Sequence, residues 1–321
     1  MWIEIAAILA GLVLLVITAD RFVAGAAALA QNLGVSTLVI GLTIVGFGTS
    51  APEILVSGMA SFSGNAGLAI GNAIGSNIAN IGLILGMTAL IVPLTIASKT
   101  LQREYPIVVG VTLLSFLLVI DGELGFYDGL ILLLLLFVVL FYMWRVASKG
   151  ADEILAAEVE AEIPDEMPTS KAVMWLILGL IGLLIASKML VWGAVGVAEW
   201  LGVSDLIIGL TIVALGTSLP ELAASIASAL KNEPDLAIGN VLGSNLYNLM
   251  AVLSIPGLVA PGPIAAEVLT RDMPVMLALT LAIGGVAYSM KGTHRISRLG
   301  GMLLLLAYFG YQGWIITSVV R

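Results

Sequence analysis

The sequence predicts an all-α, polytopic membrane protein: ten transmembrane helices arranged as two inverted five-helix repeats. Three observations carry this. First, 60% of the 321 residues are hydrophobic and only 11% are charged, with a mean hydropathy of +1.11, whereas a soluble domain carries about 25% charged residues. Second, the apolar runs extend for about 20 residues without alternation, which is the length of a membrane helix and not the pattern of a barrel strand. Third, Ile40–Glu53 recurs 168 residues later as Ile208–Glu221, with eleven of the fourteen positions identical.

Taken in order, the predicted spans cover 3–30, 37–61, 68–91, 105–120 and 126–147, then 170–199, 205–229, 236–259, 271–290 and 298–318. The first exceeds the ~20 residues a bilayer requires, so it tilts or projects. Met1-Trp2-Ile3-Glu4 lacks a basic leader, and no small-residue cleavage site follows, so it reads as an uncleaved span. The one long polar segment, 147–170, holds Asp152, Glu153, Glu158, Glu160, Glu162, Asp165 and Glu166. It divides the chain into a first repeat (1–146), an acidic loop (147–170) and a second repeat (171–321).

The repeat is ungapped over 33–107. Gly71-Asn-Ala-Ile-Gly-Ser-Asn77 aligns with Gly239-Asn-Val-Leu-Gly-Ser-Asn245, and Arg103-Glu-Tyr-Pro106 with Arg271-Asp-Met-Pro274. Five spans is an odd number, so the second copy enters the membrane from the opposite side. Inverted repeats of this kind characterise secondary transporters with sites near the midplane. Ten of the thirteen lysines and arginines fall on one side, Arg271 and Arg321 fall on the other, and Lys188 lies within a span. The positive-inside rule then puts both termini outside and the 147–170 loop in the cytoplasm of a multi-pass cell-membrane protein.

Composition also excludes classes. With no cysteine there is no disulfide, thiolate metal site or Cys nucleophile. The formal charge of −8 comes largely from the acidic loop, so it points to no nucleic-acid partner. The lipid bilayer is the only macromolecular environment indicated, with no obligate protein partner and no cofactor. The sole histidine, His294, sits in a basic loop. No His or Lys lies close enough in sequence to Ser50 to activate it, which argues against a hydrolase.

The recurring stretch places a proline and a carboxylate at bilayer depth. A mid-helix proline removes a backbone donor. An ionised side chain there costs at least about 2.5–3.5 kcal/mol. On a regular helix Thr49, Ser50 and Glu53 share an arc of about 100°. Pro52 cannot donate to the Gly48 carbonyl, and freed carbonyls at this depth are tolerated where they line a cavity or meet a ligand. Thr217, Ser218, Pro220 and Glu221 repeat the arrangement. The third span adds Asn72, Ser76 and Asn80 at i, i+4 and i+8, and the eighth adds Asn240, Ser244 and Asn248. Every candidate ligand is oxygen, as hard cations require. Two facing glutamates would repel when the site is empty. One divalent cation, or two or more monovalent ones, would neutralise them.

Plainer roles fit other features. Gly71-x-x-x-Gly75 and Gly239-x-x-x-Gly243 read as close helix-packing faces. Lys188 lies about 25 Å along its span and snorkels to the outer interface. Asp121, Glu123 and Asp128 read as solvated residues of an outer loop.

At Gly48–Glu53 with Gly71–Asn77, and at Gly216–Glu221 with Gly239–Asn245, the chain resembles the cation/calcium exchanger superfamily, and most of all its prokaryotic sodium/calcium antiporters. The family's mark is a pair of inverted repeats, each with G-T-S-x-P-E followed by G-N-x-x-G-S-N. The resemblance implies that Glu53, Glu221, Thr49 and Thr217 bind Ca²⁺. It implies Na⁺ sites at Ser50, Ser76, Ser218 and Ser244, with both glutamates and the backbone oxygens of Gly46 and Ala214. Asn72, Asn80, Asn240 and Asn248 line the site. Potassium-dependent relatives carry aspartate at the position of Asn248, so Asn248 argues against K⁺ co-transport.

The resulting expectation is a secondary active transporter that exchanges Na⁺ for Ca²⁺ by alternating access through a midplane, oxygen-lined site built from both repeats. The long first and sixth spans are the candidate moving pair. The alternatives are a Ca²⁺/H⁺ antiporter on the same scaffold and a passive cation channel.

Overall fold

The computed structural model describes residues 2–35, 37–96, 98–158, 167–200, 214–287 and 294–319. The first span is α1 (Trp2–Leu33). The second is built from α2 (Thr37–Ile40), a π-helical turn (Gly41–Val45), α3 (Gly46–Thr49) and α4 (Ala51–Phe62). The third runs through α5 (Ala66–Ala79), a π-helical stretch (Asn80–Leu85) and α6 (Gly86–Ile91). α7 (Ser98–Leu118) and α8 (Phe126–Glu158) are the fourth and fifth. α9 (Thr169–Trp200) is the sixth; α10 (Ala214–Thr217) and α11 (Leu219–Leu230) belong to the seventh. α12 (Pro234–Tyr247), a π-helical turn (Asn248–Val252) and α13 (Ser254–Val259) form the eighth. The ninth is a π-helical turn (Val268–Asp272) leading into α14 (Met273–Ala287), and the tenth is α15 (Arg298–Val319). These segments are helical because a backbone in hydrocarbon must satisfy its donors within itself.

The second span is not one regular helix: it bends by 50° between Thr49 and Ala51, because Pro52 and the non-helical Ser50 (φ −80°, ψ 4°) interrupt it. The fifth span's helix continues to Glu158, so the first twelve residues of the expected acidic loop are helical, while 159–166 lie outside the described residues. Among the described residues, a Cβ at Gly71 or Gly75 would meet nothing within 4 Å. Residues 201–213, which hold the start of the second motif, also lie outside the described residues.

The chain forms two compact units. One comprises Met1–Pro52 with Phe141–Asn240, the other Glu53–Leu140 with Val241–Arg321. In the first, α1 packs along α9, and both touch α11. Phe22, Val23, Ala26, Leu176, Leu183 and Ala224 are part of its apolar core. The approach of α1 to α9 is close. A Cβ at Gly25 would lie 2.6 Å from the Leu176 nitrogen, and one at its repeat mate Gly193 would lie 2.6 Å from the Glu4 carbonyl oxygen. Gly25→Val or Gly193→Val is therefore expected to lower stability by about 1–3 kcal/mol or more through overpacking. The check is the unfolding midpoint in detergent, which should fall for both variants and stay unchanged for Gly310→Ala, where a Cβ meets nothing within 4 Å.

In the second unit α15 packs on α6, and α14 on α7 and α5. The Tyr105 hydroxyl donates to the Thr280 carbonyl at 3.0 Å and accepts from the Gly284 N–H at 3.2 Å, joining α7 to α14. Two short antiparallel ladders tie its loops. β1 (Leu94–Thr95) pairs with β4 (Arg295–Ile296), in the register Leu94 to Ile296. β2 (Glu123–Leu124) pairs with β3 (Gly262–Pro263). The outer-loop acids act locally: Asp121 accepts from the Glu123 N–H at 3.1 Å, and Asp128 from the Gly125 N–H at 2.8 Å. Lys188 is exposed.

Candidate cation-binding site

Among the described residues, Glu53 (0% exposed) and Glu221 (1%) are the only acidic or basic side chains that are fully buried, and no lysine or arginine joins them. Each sits in the first turn of its helix, one residue after a proline, on α4 and α11. The prolines occupy early helical positions where a missing N–H breaks no bond within the new helix. The sequence thus ends one short helix at Thr49 or Thr217 and starts the next at the carboxylate-bearing turn.

The first unit brings residues of both motifs together. Thr49, wholly buried, donates its hydroxyl to the Val45 carbonyl at 3.1 Å and lies 3.1 Å from Asn240 Oδ1. The Asn240 amide nitrogen donates to the Glu221 carbonyl at 3.1 Å and to Ser225 Oγ at 2.9 Å. The Ser50 hydroxyl lies 3.5 Å from Glu221 Oε1, the outer limit of a hydrogen bond. Gly41 permits this closeness: a Cβ there would stand 2.9 Å from the Leu236 carbonyl oxygen and 3.1 Å from the Asn240 nitrogen. Gly46 is buried at the start of α3, and its carbonyl accepts the Ser50 N–H at 3.1 Å and lies 3.4 Å from the Thr49 hydroxyl. Ser218 is buried at the break before α11, and Thr217 is half-buried. Ala214 opens α10.

The second unit repeats the brace. Asn72, half-buried on α5, donates to the Glu53 carbonyl at 3.0 Å and to Ser57 Oγ at 3.1 Å. These are the equivalents of the Asn240 bonds, formed in a separate part of the chain. Ser76 and Ser244 are buried, as are Asn80 and Asn248. Asn80 donates to Asn245 Oδ1 at 3.0 Å. Within the described residues, neither amide atom of Asn248, nor Asn80 Oδ1, meets a hydrogen-bond partner. Buried amides without partners cost about 1–3 kcal/mol each, so their oxygens are suited to meet a ligand.

Asn72 and Asn240 therefore turn their nitrogens toward the backbone of the glutamates and brace the helices that carry them. The serines that complete each brace, Ser57 and Ser225, escape the sequence reading. Their signal was present, since a serine stands four residues after the glutamate in both repeats. No cluster of three or more His, Cys, Asp or Glu occurs among the described residues. Each unit holds one buried carboxylate amid hydroxyls, amides and carbonyls, the kind of oxygen donors that a hard cation takes.

The chain matches the family model described as sodium/calcium exchanger protein over residues 3–145 and 171–317, which is nearly all of both repeats. It is 48% identical over 313 residues to CaxA of Alkalimonas amylolytica, covering 97% of this chain and 98% of that one. It is 32% identical to the sodium/calcium exchanger MaX1 of Methanosarcina acetivorans, covering 95% and 96%. The solved structure of the sodium-calcium exchanger NCX_Mj soaked with Na⁺ and Sr²⁺ superposes with a TM-score of 0.82 at 35% identity, covering 96% of each chain. Ten helices in two inverted repeats, two buried glutamates in duplicated motifs and these matches lead to one conclusion: the chain belongs to the sodium/calcium exchanger protein family, and is a cation/calcium antiporter and not an enzyme.

Proposed function

We propose that this antiporter couples Na⁺ entry to Ca²⁺ extrusion through a midplane site. Ca²⁺ is held by Glu53, Glu221, Thr49 and Thr217. Na⁺ is held by the same carboxylates with Ser50, Ser76, Ser218 and Ser244 and the backbone oxygens of Gly46 and Ala214. Asn80 and Asn248 line the site, and Asn72 and Asn240 set the pitch of the glutamate-bearing turns. Both termini lie outside the cell membrane, with 147–170 inside. The observation that supports this reading best is the burial of two carboxylates with no buried lysine or arginine among the described residues. Bringing such groups out of water costs several kcal/mol per ion, and bound cations offset that cost. Because Na⁺ and Ca²⁺ relieve the same charge, one displaces the other, and α1 and α9 move together between the two access states. Exchange of several Na⁺ for each Ca²⁺ moves net charge, worth about 2.3 kcal/mol per charge per 100 mV.

The test is Ca²⁺ flux in proteoliposomes holding the full chain, with Na⁺, K⁺, pH and voltage set independently. A Na⁺ gradient is expected to drive saturable Ca²⁺ movement in the opposite direction, accelerated by an interior-negative potential in the extrusion direction and indifferent to K⁺. Flux driven by a pH gradient and not by Na⁺ would establish Ca²⁺/H⁺ exchange instead. Unsaturable flux without a counter-ion would establish a channel.

A further inference from the structure

Pro220 has no N–H, so the carbonyl of Gly216, four residues earlier, loses its regular i+4 helical donor. The structure fills that acceptor from a different helix. Ser187, 7% exposed on α9, donates its hydroxyl to the Gly216 carbonyl oxygen at 2.5 Å. A serine inside a helix commonly bonds back to the carbonyl four residues before it. Here the described bond of Ser187 goes across to the turn that immediately precedes Thr217 and Ser218.

The first repeat lacks this device. Pro52 removes the i+4 donor of the Gly48 carbonyl in the same way, but there a backbone N–H at the Ser50 cap donates to that oxygen, and the residue of α1 that corresponds to Ser187 is Ala19, buried and without a hydroxyl. The motif residues from Gly48 to Glu53 match those from Gly216 to Glu221 at five of six positions. The supports behind the two motifs do not match.

We propose that Ser187 is a positioning residue for the second motif: its hydroxyl holds the Gly216 carbonyl away from the ions, fixes the turn that presents Thr217 and Ser218, and so makes the two half-sites inequivalent. The inference rests on the reading of Thr217 and Ser218 as ion ligands. It differs from a packing role for Ser187, because the donor matters here and the volume does not.

The experiment compares wild type, Ser187→Ala and Ser187→Thr as full chains. It measures Na⁺-driven Ca²⁺ exchange in proteoliposomes and Ca²⁺-dependent thermal stabilisation in detergent. Ser187→Ala is expected to raise the Ca²⁺ half-saturation about fivefold, the order of one net hydrogen bond, while the maximal rate at saturating Ca²⁺ stays near wild type. It shifts the Ca²⁺ titration of the thermal midpoint by the same factor. Ser187→Thr keeps the hydroxyl and restores both. An unchanged half-saturation in Ser187→Ala overturns the proposal. So does a fall in maximal rate alone, or a Thr variant as impaired as the Ala variant. Should Ser187→Ala fail to fold, Ser187→Cys, a weaker donor of similar size, is expected to show the raised half-saturation, and a wild-type value there overturns the proposal. Loss of Na⁺-driven exchange in the wild type itself would overturn the reading of the ligands, and this inference with it. Wild-type exchange with an indifferent Ser187→Ala overturns this inference alone.

Discussion

Glu53→Gln and Glu221→Gln should each abolish Na⁺-driven Ca²⁺ exchange while leaving the protein folded. Glutamine keeps the shape of the side chain and removes one formal charge from the site proposed to hold a divalent cation. Removing one partner of a buried charged pair costs about 3–5 kcal/mol. At about 1.4 kcal/mol per factor of ten, the Ca²⁺ affinity falls by more than about a hundredfold. The stability of the ion-free protein moves the other way or not at all. Both carboxylates are fully buried, and an amide is cheaper to desolvate than a carboxylate. Wild type should gain about 2.7 kcal/mol at a Ca²⁺ concentration one hundred times its dissociation constant. Each Gln variant should lose that gain while unfolding no earlier than wild type without Ca²⁺. Near-normal Ca²⁺ flux in either variant would remove its glutamate from the site.

Much of this architecture was legible in the chain because its strongest signals are costly ones. A proline and a carboxylate inside an apolar run, repeated with the same neighbours, located Glu53 and Glu221. Hydropathy located the spans, since length in hydrocarbon leaves few alternatives. Other features depend on which atom of a side chain faces which neighbour, and periodicity does not carry that. Asn72 and Asn240 were legible as polar positions on an inner face. That their nitrogens seek the Glu53 and Glu221 carbonyls emerges only once α5 and α12 lie against the glutamate-bearing turns. The π-helical turns at Gly41–Val45 and Asn248–Val252 insert an extra residue per turn that no apolar pattern announces. They also re-aim the side chains of the next helical turn, which is why π-bulges recur at functional positions. Ser187 was hidden for a different reason. Repeat comparison draws the eye to duplicated residues, and its counterpart is an alanine.

Asn240→Ala should impair exchange more than any other substitution outside the two glutamates. The Asn240 side chain is fully buried. Its nitrogen reaches the Glu221 carbonyl and Ser225 Oγ, and its oxygen lies within 3.1 Å of the Thr49 hydroxyl. One residue thus braces a carboxylate-bearing turn of the second motif and the threonine of the first. Removing a partner from a buried polar group costs about 1–3 kcal/mol, and two such losses raise the Ca²⁺ half-saturation by about thirtyfold to ten-thousandfold. Misplacement of the Glu221 turn also slows turnover, because ligand geometry must hold to within about 0.5 Å. Asn240→Asp separates the two functions of the amide. The aspartate still offers Thr49 an acceptor but has no donor for the Glu221 carbonyl, and it adds a negative charge beside that oxygen. It should therefore remain impaired. Ser225→Ala leaves Asn240 its bonds to Glu221 and Thr49, so the loss is confined to one neutral hydrogen bond, about 1 kcal/mol. The decisive comparison is the Ca²⁺ half-saturation across Asn240→Ala, Asn240→Asp and Ser225→Ala at matched expression and thermal midpoint. If Asn240→Asp exchanges as wild type does, the donor to the Glu221 carbonyl is dispensable and the brace acts through Thr49 alone.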